Sequence, residues 1–218
     1  MHGKTVSVKK DILSANSKTA EQIRSGLDKH HVRMMNILSS PGSGKTSLIM
    51  KTINRFKDLY TIAVIEGDVA SSIDAERISR LNVRAIQINT GGGCHLDANM
   101  IEKALTDLEL EHLDLVFIEN VGNLVCTAEF DLGAHKNVVI LSIPEGDDKP
   151  YKYPAIFMEA DIVLVNKIDV LPYFDFDLSM FPEVLNGINP SATVLPISAK
   201  SGEGLDDWFA WIEQTLAS

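Results

Sequence analysis

Apolar residues along this chain fall into short runs, and the stretches between them carry helical rather than alternating periodicity. The runs are VRMMNIL (residues 32–38), YTIAVIEG (60–67), NVRAIQI (82–88), LDLVFIEN (113–120), NVVILSI (137–143), DIVLVNK (161–167) and ATVLPIS (192–198). Near-continuous apolar runs with helices between them predict a mostly parallel seven-stranded sheet with helices on both faces, an α/β fold. Helices are predicted at 19–29, 45–56, 72–80, 97–110, 153–159 and 204–216. The last carries Leu205, Trp208, Phe209, Trp211, Ile212 and Leu216 at helical spacing, a core-facing stripe. Residues 171–190, rich in Phe, Asp and Pro, read as an irregular connection with one helix at most. The polar start, residues 1–18, reads as a loosely ordered extension ahead of a single domain, 19–218. In such sheets ligands collect beyond the carboxyl ends of the strands.

Composition narrows the classes. A 218-residue chain with 45% hydrophobic and 23% charged residues suits one soluble domain with a sizeable core. The net charge of −10 argues against nucleic acid as a partner, because no basic face is available to neutralise phosphates. Two cysteines make no disulfide framework, no apolar run is long enough to span a bilayer, and no secretory signal heads the sequence. A cytoplasmic protein with no membrane partner is expected.

The motif NILSSPGSGKTSL follows the first strand and opens a helix, the setting of a phosphate-binding loop. Ser39 stands where the G-x-x-x-x-G-K-[ST] template has glycine. Gly42, Ser43, Gly44, Lys45, Thr46 and Ser47 fit the rest: backbone N–H groups, a helix dipole and the Lys45 ammonium can surround the β- and γ-phosphates. The Thr46 hydroxyl suits Mg²⁺. At the end of the sixth strand, NKID offers the Asp169 carboxylate to the N1–H and 2-amino group of guanine, donors that adenine lacks. Asn166 and Lys167 would steady the base and the loop. In SAK, Ser198, Ala199 and Lys200 follow the seventh strand, and the Ala199 N–H suits the purine O6. Their order after the phosphate loop points to GTP and GDP.

Two strand-end acids complete that edge: Asp68 after the second strand and Glu119 after the fourth, each a candidate for Mg²⁺ or for the attacking water. Gly122 could present its N–H to the γ-phosphate. Asp147 and Lys149, in a polar loop after the fifth strand, are either nucleotide or partner contacts or a solvated cluster.

TGGGCHLD (residues 90–97) has three readings: a phosphate loop, a catalytic thiol, or half of a metal site. The chain already has a phosphate loop, and no acyl-transfer signature accompanies the thiol. Cys94 and His95 after the third strand, with Cys126 beyond the fourth, bring thiolate and imidazole to the nucleotide edge, a donor set that suits Zn²⁺ or Ni²⁺. Two buried structural cysteines are the alternative. Three donors per chain leave a fourth to a dimer partner, Asp97 or water.

Taken in order, SSPGSGKTSL, EGDVASSIDAERI, GGGCHLDANMI, FIENVGNLVC, EGDDKPYKYP, VNKIDVLPY and ISAKSGEGLDDW resemble the HypB family, the hydrogenase maturation GTPases that assist nickel insertion. The resemblance covers the chain from about residue 19 to its end. It implies a P-loop NTPase of the SIMIBI class, the dimerising GTPases that include signal-recognition and MinD-like proteins, with E-x-x-G at residues 119–122 replacing D-x-x-G. It also implies metal residues at Cys94, His95 and Cys126, a GTP-favoured homodimer, and a nickel-insertion partner acting with the hydrogenase large-subunit precursor. Before Lys45 the histidines are His2, His30 and His31, so the N-terminal nickel motif or His-rich store of many members is not expected. An accessory GTPase for another nickel enzyme such as urease, and a metal-binding protein with structural GTP, are the competing readings.

Overall fold

The computed structural model describes residues 8–68, 78 and 80–217, with the side chains of residues 8, 9 and 68 outside that description. Helix α1 spans Val8–Lys29 and leads to strand β1, Arg33–Ser39. Then follow α2 (Lys45–Phe56), β2 (Ile62–Asp68), β3 (Arg84–Asn89), α3 (Ala98–Leu105), β4 (Leu115–Glu119) and β5 (Lys136–Ser142). The chain continues through α4 (Lys149–Lys152), α5 (Pro154–Met158), β6 (Ile162–Asn166), α6 (Phe181–Asn186), β7 (Thr193–Pro196) and α7 (Leu205–Ala217). All seven strands pair in parallel in the order β3-β2-β4-β1-β5-β6-β7. Each apolar run of the sequence is therefore a strand, and every strand ends at the same edge.

The helix bounds differ where local chemistry intervenes. Helix α1 begins well before residue 19 because it has tertiary anchors: buried Asn16 donates to the Asp131 carbonyl (2.8 Å) and accepts from the Ala98 N–H (2.8 Å). It ends in a Schellman motif: His31 is left-handed (φ 57), His31 N–H bonds the Asp28 carbonyl and Val32 N–H the Leu27 carbonyl. Helix α3 stops at Leu105, short of the expected 110, and the Thr106 hydroxyl takes the Lys103 carbonyl that further helix would need. The helix expected at 153–159 is present as α5, started by Pro154, and a further turn of helix, α4, precedes it because proline opens a helix but does not continue one from Tyr153. The irregular 171–190 connection contains α6. The helix expected at 72–80 lies, apart from single positions, outside the described residues.

One face of the sheet is apolar until the strands near the carboxyl edge, where buried Ser39, Glu66, Glu119 and Asn166 stand: Met35, Ile37, Val64, Phe117, Ile140 and Leu164 pack against Leu48, Ile53 and Phe56 of α2 and Trp208 and Ile212 of α7. The Trp208 indole N–H donates to buried Thr52 (2.9 Å), fixing α7 to α2. The opposite face is divided. Met34, Ala63, Ile65, Val116 and Ile118 pack under α1 and α3, while Val139, Leu141, Val163 and Val165 pack under α5 and α6. The polar side chains Asn36 and Asn137 lie between, and line a cavity of about 320 Å³. The connection from β4 to β5 crosses this seam with only a short 3₁₀ turn, Cys126–Ala128, instead of the helix usual for parallel strands. Among the described residues no helix is long and apolar enough to cross a membrane.

Candidate functional site

The carboxyl edge gathers the predicted nucleotide residues into one site. Ser39 ends β1, and the loop returns through Gly42 (φ 75) and Gly44 (φ 108, left-handed) into α2. Gly44 is the N-cap and provides no side-chain cap, so the first N–H groups of α2 point out of the helix as donors for an anion. Buried Lys45 folds back over the loop: its ammonium donates to the Ser39 hydroxyl at 2.8 Å, and the Ser43 hydroxyl donates to the same oxygen at 2.5 Å. The departure from the template at Ser39 thus supplies a hydroxyl that holds the phosphate lysine inside its loop. Ser47 is exposed on the first turn of α2.

Asn166 ties the separate motifs together. Its side-chain N–H donates to the Ser43 carbonyl (2.8 Å), and its oxygen accepts from the Ala199 N–H (3.0 Å). A Cβ on Gly44 would fall 2.4 Å from the Asn166 Nδ2, so this contact requires glycine. The Lys167 ammonium donates to the Gly42 carbonyl (2.7 Å), its backbone left-handed at φ 66. Asp169 accepts from the Ser198 hydroxyl (2.6 Å), which fixes the carboxylate and leaves lone pairs for two further donors. The Ala199 N–H, expected to face the base, is occupied by Asn166. Lys200 is exposed.

At the next strand, Thr46 donates to Glu119 at 2.7 Å, joining the start of α2 to the end of β4. A Cβ at Gly122 would come within 3.0 Å of three atoms of Pro41, so the E-x-x-G segment packs directly on the phosphate loop. Asp68 ends β2 at the same edge, beside Asn89 of β3, with its side chain outside the described residues. Asp147 instead caps the 177 backbone (2.9 Å), and the Lys149 ammonium lies over the Tyr153 ring.

The glycines of residues 90–97 form a tight turn. Gly91 and Gly92 both have positive φ (61 and 91), and the Gly93 N–H closes the turn on the Thr90 carbonyl at 3.0 Å. Beyond it the Cys94 sulfur lies 3.5 Å from His95 Nδ1. The neighbouring Cys94 thiol first, as a hydrogen-bonding group, and desolvation second raise the Cys126 pKa above its ordinary value. The Asn123 side chain holds Cys126 in place by accepting from the Val125 and Cys126 N–H groups (2.7 and 3.1 Å). His95 stacks on Phe130 with centroids 4.0 Å apart. The two thiols are therefore brought together, but among the described residues no group of three or more His, Cys, Asp or Glu closes into a metal-sized cluster.

Two residues that shape this edge had no role in the sequence reading: Ser39 and Asn123. Ser39 was visible there as a broken template.

Residues 33–196 match the model of the CobW/HypB/UreG nucleotide-binding domain. The hydrogenase maturation factor HypB of Rhizobium leguminosarum bv. viciae is 49% identical over 212 residues, 97% of this chain and 71% of the relative. A crystal structure of HypB from Helicobacter pylori in complex with nickel superposes with a TM-score of 0.87 at 40% identity, covering 93% of this chain and 95% of that one. The signal recognition particle receptor FtsY of Elizabethkingia anophelis, at 15% identity and a TM-score of 0.56 over 83% of this chain and 65% of its own, shares the fold.

Proposed function

The chain belongs to the HypB family of hydrogenase maturation factors, and on that premise we propose that it is a GTP-hydrolysing metallochaperone whose nucleotide state controls a thiol metal site. The observation that carries this reading is a single loop. The chain leaving β4 bears Glu119 and Gly122, packed on the phosphate loop, and four residues later Cys126, a free thiol beside that of Cys94. A change at the γ-phosphate therefore has a short covalent path to the thiols. In this reading the cargo is Ni²⁺ or Zn²⁺, for which thiolate donors are suited, and its destination is the hydrogenase large-subunit precursor, reached with a nickel-insertion partner.

The reaction is GTP and water to GDP and phosphate. The N-terminal N–H groups of α2 and the Lys45 ammonium bind phosphate oxygens and offset the charge that develops on them. Asp169 selects guanine, and the Asn166 clamp holds the base loops against the phosphate loop. The adjoining Thr46 hydroxyl and Glu119 carboxylate, with Asp68 at the same edge, form an oxygen donor set that fits Mg²⁺. When bound, Mg²⁺ would withdraw charge from the β- and γ-phosphates. Glu119 and Asp68 are also the acids available to orient water. No arginine finger or glutamine occupies the described site, so slow intrinsic turnover is expected.

In this proposal a GTP-favoured homodimer supplies the donors that one chain lacks around Cys94 and Cys126. Light scattering with a non-hydrolysable GTP analogue and with GDP, combined with nickel titration in each state, tests it. A larger mass and an altered nickel stoichiometry with the analogue are expected. Identical mass and identical affinity in both states would overturn the nucleotide control. Lys45→Ala should abolish turnover, and normal hydrolysis by that variant would overturn the site.

A further inference from the structure

Asn36 is 3% exposed in the middle of β1, on the sheet face it shares with Met34 and Leu38. An apolar residue would be the ordinary choice there. Instead its side chain is the centre of a directed row of amides crossing three adjacent strands. The Val121 N–H donates to Asn120 Oδ1 (2.8 Å), and Asn120 Nδ2 donates to Asn36 Oδ1 (3.0 Å). Asn36 Nδ2 donates to Asn137 Oδ1 (3.0 Å), and Asn137 Nδ2 to the Glu159 carbonyl (3.2 Å). Buried amides of this kind add little net stability over apolar groups of the same shape, but they admit only one geometry.

The row begins inside the E-x-x-G segment. Asn120 lies between Glu119, which accepts from Thr46, and Gly122, which packs on Pro41. Its own N–H extends the β1–β4 ladder by bonding the Ile37 carbonyl (3.1 Å), so its backbone belongs to the sheet. Its side-chain oxygen engages the next N–H along, at the point where the chain turns from strand into loop. The orientation of that amide is set by Asn36 on the neighbouring strand. We infer that Asn36 is a positioning residue for GTP hydrolysis: through Asn120 and the Val121 N–H it fixes the turn that presents Glu119 and Gly122 to the γ-phosphate. The seam in the apolar face exists because this amide must stand on a rigid central strand rather than on a loop. The inference rests on the GTPase reading above.

The test uses the full chain with Asn36→Leu, which keeps the branched shape of the side chain and removes the amide. Expected is a fall in kcat of about tenfold or more, with GDP affinity within about twofold of wild type, because GDP makes no demand on the γ-phosphate turn. Asn189→Leu is the control for general destabilisation. Its buried amide binds the Phe157, Met158 and Ala160 carbonyls, away from the nucleotide, so it should lower the melting temperature and leave kcat unchanged. Should Asn36→Leu not fold, Asn36→Ser is read in the same way. A wild-type kcat in the Asn36 variant, or parallel losses of kcat and GDP affinity, overturns the inference. Absence of turnover in wild type would instead overturn the GTPase reading. The affinity ratio of a non-hydrolysable GTP analogue to GDP then reads the positioning directly: about a tenfold fall in Asn36→Leu supports it, and an unchanged ratio overturns it.

Discussion

The loop after β1 and the loop after β3 are both glycine-rich, both leave the carboxyl edge of the sheet, and both run into a helix. They differ in what stands at the helix N-cap. Before α2 it is Gly44, which has no side chain to offer, so the helix N–H groups remain open to an anion. Before α3 it is Asp97, whose carboxylate accepts from the Met100 N–H at 2.9 Å. The Ala98 N–H is taken as well, by Asn16. The second loop therefore has two of its first three helix N–H groups already taken and carries an acid where phosphate would sit. Its glycines serve a different end: two residues of positive φ turn the chain sharply enough to bring Cys94 to Cys126. Glycine content marks where backbone bends, and the N-cap decides what the bend can bind.

The comparison can be broken most directly at Gly44. Alanine there combines a strained φ with a Cβ 2.4 Å from Asn166 Nδ2, so it must displace the residue that clamps two motifs. Loss of GDP affinity on the order of a thousandfold is expected by calorimetry, from about 2 kcal/mol of strain and a similar cost for the lost clamp. The complementary substitution on the other loop is Cys126→Ala. It should weaken nickel binding by roughly 10–100-fold or more, as loss of a ligand should exceed loss of a supporting group, while GDP affinity stays at the wild-type value. If GDP binding fell in parallel, the two loops would not be chemically separate.

Smaller effects sharpen the distinction. Asp97→Ala removes the α3 cap and should cost about 1 kcal/mol, a fall in melting temperature of about 2–4 °C for a chain of this size. Nucleotide affinity should be unaffected, and a new phosphate site at α3 would show that the N-cap alone separates the loops. Gly91→Asn is expected to be the mildest. Nothing lies within 4 Å of a Cβ there, and Asn accepts left-handed backbone at small cost, so a stability loss of a few tenths of a kcal/mol is expected from denaturant titration. A large loss would mean that the turn is held by more than its own φ angles.

All seven strands, the parallel sheet and the phosphate loop were legible in the sequence, because strand burial, helix periodicity and the Gly-Lys-Thr spacing are local patterns that depend little on distant residues. NKID and SAK could be placed at the same edge, since one ends β6 and the other follows β7. The sequence reading left α1 short by eleven residues at its start, where Asn16 finds partners 82 and 115 positions away. It assigned the Ala199 N–H to the base, whereas the Asn166 amide from another strand takes it.

Residue types and their spacing were enough to place this chain's nucleotide-binding fold and to expect guanine-selective residues and soft metal donors along one edge, since those depend on chemistry each residue brings with it. Which donors meet was a matter of folding. Cys94 comes near Cys126 because β3 and β4 flank β2, so the loops beyond them converge. His95 stacks on Phe130 and keeps its Nδ1 3.5 Å from the Cys94 sulfur. Asn36 became part of the nucleotide machinery only when β1 was laid between β4 and β5. A side-chain hydrogen bond is short-ranged, and only the packed sheet brings residues 36, 120 and 137 within reach of one another.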